Sequence, residues 1–283
     1  MTEEVQSFGM PTKAPSPLEV KKAEVDELHE MKQITFDFDE EEDFEIKKEV
    51  FSVYGHKNDG KTAVCYGIPP AGDKVLVFSF DNKSSRPREL GFIQAANLDI
   101  KVYNAIKYLD KSNADVYQAT SELVQRYILS IIGQAKEKFS PDWVVIDGTE
   151  IMSGIMEQVM RLHNNLRPYQ GISNLSVWKE RKQYIDDIHN RIVRLANKGV
   201  IYTMYSDKDT VTKDGEVINS KDVPKWIGSV MTETDVVIRA DSTFIKDKRE
   251  FVVFVESKIP LKYPDGKYKV TGRRFLDVVS ECL

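Results

Sequence analysis

The sequence predicts an α/β domain: a mainly parallel sheet flanked by helices, with antiparallel hairpin strands towards the C-terminal end. Three observations carry this reading. Short, nearly all-apolar runs recur along the chain (VFSVY at 50–54, KVLVFSFD at 74–81, WVVID at 143–147, VIYTMY at 200–205), as strands covered on both faces do. Stretches with helical periodicity separate them. The first apolar run also opens directly into a glycine-bounded loop, GHKNDGKT at 55–62. Strands that alternate with helices are joined by right-handed crossovers, which give parallel pairing.

The bulk numbers agree with one sizeable domain. The chain has 283 residues, 41% hydrophobic and 30% charged, enough to bury a core. No run approaches the roughly eighteen apolar residues of a membrane span, and MTEEVQSFGMPTK at the start has no apolar leader segment. No membrane partner is expected. Cys65 and Cys282 stand far apart without a CxxC spacing or nearby histidines. That argues against a zinc site and against a disulfide-linked partner, and it fits a reducing cytoplasm, the host's if the protein is viral. A net charge of −5 excludes a general polyanion binder. Any nucleic-acid contact must come from a local patch or from several subunits together.

Residues 1–32, punctuated by Pro11, Pro15 and Pro17, read as a flexible arm, and 33–283 as one domain. Residues 34–48 alternate apolar and charged, a strand or hairpin around the acidic turn DEEED. A short helix over 61–68 is stopped by Pro69 and Pro70. Polar sequence then runs to about residue 120. Helices are expected at 122–139, ending before Pro141, and at 151–166 and 177–197, with Gly199 beyond the last. A polar loop should follow residue 205, then strands near 235–240, 250–256 and 266–270.

Gly55-His56-Lys57-Asn58-Asp59-Gly60-Lys61-Thr62 satisfies G-x-x-x-x-G-K-[ST] at every required position. The chemistry needs these types. Gly55 lets the chain leave its strand, and Gly60 lets backbone N–H groups close round phosphates at a helix start. Lys61 brings an ammonium to the β- and γ-phosphates of ATP, and Thr62 a hydroxyl to Mg²⁺. Such a loop also needs an acid at the end of a buried neighbouring strand. Asp147 ends WVVID and fills that place, against the plainer reading of a helix cap. Glu150 is either a supporting carboxylate or a helix-start acid. Asp81 ends KVLVFSFD and is open between two roles, orienting water towards the γ-phosphate or simply turning the chain.

The carrying segments (YGHKNDGKT, the helix cut off by Pro69-Pro70, KVLVFSFDNKSS, WVVIDG and VIYTMYSD) resemble the RecA-like ATPases, and among them the phage and archaeal Sak4-like single-strand-annealing group. The resemblance spans about residues 48–260. It implies ATP bound between subunits of a ring or filament, and single-stranded DNA engaged by loops after the third and fourth core strands. Lys61 and Thr62 then match the phosphate and magnesium positions, Asp147 the metal-holding acid, and Asp81 the water-activating acid. The family commonly has Glu at that last place. Its polar sensor would be Ser206 or missing, and Lys258 is either a residue extended into a neighbour's site or a solvated strand-end lysine.

Two loops are candidates for a nucleic-acid face. Residues 160–174 carry Arg161, Arg167 and Tyr169 without an acid, able to contact phosphate and stack on a base. Residues 207–227 hold Lys208, Lys213, Lys221, Lys225 and Trp226, but five acids nearly cancel them. The leading function is therefore an ATPase acting on single-stranded DNA in recombination or annealing. The alternative is a P-loop switch that binds protein partners. A small-molecule kinase is disfavoured, because no arginine-rich lid follows WVVID.

Overall fold

The computed structural model describes residues 47–81, 96–213, 216–228 and 230–283. The expected arm at 1–32 and nearly all of the strand or hairpin at 34–48 fall outside them. Among the described residues the strands are β1 (Glu49–Gly55), β2 (Lys74–Ser79), β3 (Asp99–Asn104), β4 (Trp143–Asp147), β5 (Gly199–Lys213), β6 (Glu216–Pro224), β7 (Val236–Ile245), β8 (Lys248–Ser257) and β9 (Gly266–Lys269). The helices are α1 (Lys61–Gly67), α2 (Ala114–Lys138), α3 (Thr149–His163), α4 (Leu175–Leu195), α5 (Val230–Glu233) and α6 (Phe275–Ser280).

The sheet runs β3-β2-β4-β5-β1-β7-β8-β9, with β6 paired to β5 alone. Every pairing from β3 to β7 is parallel, and β7-β8-β9 are antiparallel. The central strands are apolar throughout because alternate residues enter different cores. Val144 and Ile146 of β4 pack with Tyr54, Tyr202, Ile128 and Ile155 on the side of α2, α3 and α4. Trp143 and Val145 pack with Phe51, Val53, Ile201 and Phe275 on the side of α1 and α6.

Several boundaries differ from the sequence reading. Helix α2 begins at Ala114, two turns before the expected start, because the Asn113 side chain accepts from the Val116 N–H at 2.9 Å and caps a polar first turn. Strand β3 lies at the sheet edge, and its half-exposed DIKVYN has too little apolar character to stand out. The loop expected after residue 205 is instead an antiparallel ribbon: β5 continues to Lys213 and returns as β6. Its sequence carries polar residues at alternate and intervening positions alike, so no apolar face announces a strand.

Gly199 opens β5 at a tight point of the sheet. A Cβ there would stand 2.5 Å from the Glu49 carbonyl oxygen and 2.6 Å from the Trp143 ring. We expect Gly199→Ala to cost about 1–3 kcal/mol, read as a lower urea midpoint. A wild-type midpoint would show that the starts of β1 and β4 can part without penalty.

Candidate nucleotide site

The loop from β1 to α1 takes its shape from two glycines and a carboxylate. A Cβ on Gly55 would fall 2.4 Å from the Ala240 carbonyl oxygen, so β1 can leave the sheet beside β7 only as glycine. Gly60 has φ 82°, and a Cβ there would meet the Phe251 ring at 2.8 Å. Asp59 is 8% exposed and braces the loop. Its Oδ2 accepts from the His56 N–H at 2.8 Å and its Oδ1 from the Ser242 hydroxyl at 2.9 Å. Ser242 in turn accepts from Arg249 at 2.8 Å, whose guanidinium stands 3.9 Å from Asp59.

Lys61 turns back over this loop. Its Nζ donates to the carbonyls of Gly55 at 3.0 Å and His56 at 2.6 Å, and sits 4.6 Å from the centre of the Tyr205 ring. Asp147, 5% exposed, is approached from two sides. The Thr62 hydroxyl donates to its Oδ2 at 3.3 Å, and the Thr203 hydroxyl to its Oδ1 at 2.8 Å. Thr203 Oγ1 accepts from the Gly148 N–H at 2.8 Å, so its proton is directed at Asp147. Glu150 accepts from the Tyr205 N–H. Burial pushes the Glu150 carboxyl above its usual range, opposed by that N–H and by the nearby Lys61 charge.

Lys57, Asn58, Asp59, Gly60, Lys61, Thr62, Asp81 and Asp147 line one cleft of about 380 Å³ at the carboxyl edge of the parallel strands. Gly55 shapes the loop from outside that lining, and the His56 ring faces Asp222 of β6 at 3.5 Å. Asp81 lies two residues beyond the end of β2. Besides Asp59, the cleft offers carboxylates from Asp81, Asp147 and Glu150 and hydroxyls from Thr62 and Thr203, with no histidine or cysteine among its described lining residues. That all-oxygen set suits a hard cation such as Mg²⁺.

Arg161, Arg167 and Tyr169 do not join the cleft. Arg161 departs from the exposed phosphate contact the sequence suggests. It is 7% exposed, and its guanidinium donates to Glu157 at 2.9 and 3.0 Å and to the Gln170 carbonyl at 2.7 Å. It organises the 164–174 loop from within. Arg167 and Tyr169 are exposed and flank Ala114 and Asp115 of α2. On β5 it is Tyr205, one residue before Ser206, that lines the cleft. Lys258 donates to the Thr232 carbonyl at 3.1 Å beside the start of β1, at the opposite edge of the sheet.

Sequence reasoning missed Thr203, Tyr205, Arg249 and Phe251 as cleft residues. The first two lie on a strand that was recognised, and strand order alone would have placed them. The others follow from β8 running back past the loop, for which no local motif exists.

These features define a P-loop nucleotide-binding domain of the ATPase class. In comparison with protein families, residues 47–277 match an AAA domain, and the chain belongs to that family. A solved structure similar to it is the KaiC-like protein PH0186 of the hyperthermophilic archaeon Pyrococcus horikoshii OT3. The two are 12% identical, with 78% of this chain and 84% of that one covered and a TM-score of 0.40. No curated protein matches. Among the described residues no helix is long and apolar enough to cross a membrane.

The raised Glu150 carboxyl has a consequence for stability. The native state binds more protons than the unfolded chain between the ordinary carboxyl value and the raised one, so stability falls as pH rises through that interval. Glu150→Gln keeps an oxygen for the Tyr205 N–H and removes that part of the fall. Urea midpoints at about pH 4 and pH 7 should therefore drop less in the variant. An equal drop would show that burial leaves this carboxyl unaffected.

Proposed function

We propose that the protein is a RecA-like, Mg²⁺-dependent ATPase that acts on single-stranded DNA, in recombination or annealing, as a ring or filament, in the manner of the Sak4-like group that its motifs resemble. One observation carries the catalytic part: the Thr62 hydroxyl and the Asp147 carboxylate meet at 3.3 Å beside Lys61.

In this reading Lys61 exchanges the carbonyls of Gly55 and His56 for the β- and γ-phosphate oxygens, and its charge offsets what develops there. Thr62 and Asp147 hold Mg²⁺, with Asp147 kept in place by Thr203. Bound magnesium supplies charge neutralisation at the phosphates. Asp81, on the cleft lining beside Gly148, orients the attacking water in this reading. Lys258, bonded to the Thr232 carbonyl at the far edge of the sheet, has no part in the chain's own cleft.

Support for the DNA part is that β5 runs straight from the cleft into the β5–β6 ribbon. A second reading, a switch ATPase with protein partners, draws on Arg161 being committed inside the chain.

The test is Mg²⁺-dependent ATP hydrolysis with and without single-stranded DNA. Lys61→Ala and Asp147→Asn should each lower kcat/KM by about 100-fold or more, with thermal melting of Lys61→Ala near wild type. Asp81→Asn should lower kcat and leave nucleotide affinity in place. A wild-type rate for Asp81→Asn would return that residue to a turn role. Hydrolysis indifferent to DNA would favour the switch.

A further inference from the structure

The third and fourth helices and the segment just after β6 form a second recess, remote in sequence from the phosphate loop. It measures about 420 Å³ and is walled by Trp178, Trp226, Lys179, Arg181 and Lys182. No acid is among its described lining residues, and Asp186 stands behind Gly228 of its wall. The chain has three tryptophans, and the third, Trp143, is buried with its indole N–H given to Asp73 at 2.8 Å. Trp178 and Trp226 are half-buried, and neither indole N–H donates to a described residue. Arg181 is partly neutralised, donating to Glu157 at 3.3 Å with its guanidinium 4.8 Å from the Trp178 ring centre. Lys179 and Lys182 are exposed and make no ion pair with a described residue.

We infer that this recess binds single-stranded DNA, with a base against the indoles of Trp178 and Trp226 and flanking phosphates on Lys179 and Lys182. Flat aromatic surface beside unpaired cations is the combination that single strands require, since every base has a face to stack and every linkage a charge. An acidic peptide would use the lysines but has no call on two indoles.

The recess is also tied to the nucleotide cleft. The Lys225 N–H, next to Trp226, donates to the Tyr205 carbonyl at 3.0 Å. The Tyr205 N–H is held by Glu150, and its ring lies against Lys61. When Lys61 moves to phosphate it leaves that ring, and Tyr205 transmits the change to the backbone that carries Trp226. Nucleotide should therefore alter DNA affinity at this recess. The inference rests on the DNA-directed reading above.

The experiment uses the full chain, fluorescein-labelled dT20 and anisotropy with and without Mg-ATP at several salt concentrations. Lys179→Ala/Lys182→Ala should weaken binding about tenfold and flatten the slope of log K against log salt by about 1.4, two phosphates at about 0.7 each. Trp178→Ala should weaken it by about tenfold, and Trp226→Phe, which spares the core packing, should reduce the quenching of tryptophan fluorescence by dT20. ATP hydrolysis without DNA should be unchanged in all three. If the wild type binds and the lysine and tryptophan variants match it in affinity, slope and quenching, the recess is the wrong site while the DNA reading stands. If the wild type does not bind dT20 at all, both fall. Tighter binding of rU20, or equal binding of polyglutamate without quenching, would overturn the choice of DNA as occupant.

Discussion

The hydroxyl of Thr203 holds the site together. It accepts one proton, from the Gly148 N–H, and can therefore give its own only to Asp147. A single buried side chain thus fixes the last residue of β4, the first residue beyond it, and the level at which β5 stands against them. The Thr149 hydroxyl closes the same knot by donating to the Thr203 carbonyl at 2.7 Å. Parallel strands give no side-by-side hairpin to set their register. Here the Thr203–Asp147 bond ties β5 to the end of β4.

Because that carboxylate is fixed from the β5 side, its other oxygen remains for Thr62, the second residue of α1. The phosphate loop and the acid therefore meet although β5 separates β1 from β4 in the sheet. The two cores serve this arrangement. One seats α1 against the back of the sheet, and the other presses α3 and α4 onto the front. The carboxyl edge between them is left open.

The sequence showed the class of fold and the centre of the site because both are written locally. Four apolar runs marked four of the parallel strands, and eight consecutive residues marked the phosphate loop. Asp147 was found because an acid ending an all-apolar strand is conspicuous. What stayed hidden depends on distant residues. The sequence of the β5–β6 ribbon shows no apolar alternation, β3 is a half-exposed edge, and Asn113 caps a polar turn whose helix declares itself only further on. Arg161 looked like an exposed cation, and it is buried because Glu157 one turn earlier and the carbonyl of Gln170 both turn towards it. Such a convergence has no signature in spacing. Asp59 matched the loop motif merely as a permitted residue, yet it proves to be its brace.

That brace separates two things usually treated as one, the signature of the loop and its scaffold. Asp59 and Ser242 are 183 positions apart in the chain. A fragment ending after the fifth strand would keep every residue of the signature, the acid and the threonine that orients it. It would still lack the wall against which Gly55 and Gly60 fit, and the hydroxyl that holds Asp59. For this architecture the smallest competent unit reaches into the C-terminal hairpin, and chimaeras that exchange the hairpin alone should retune the nucleotide loop without touching its motif.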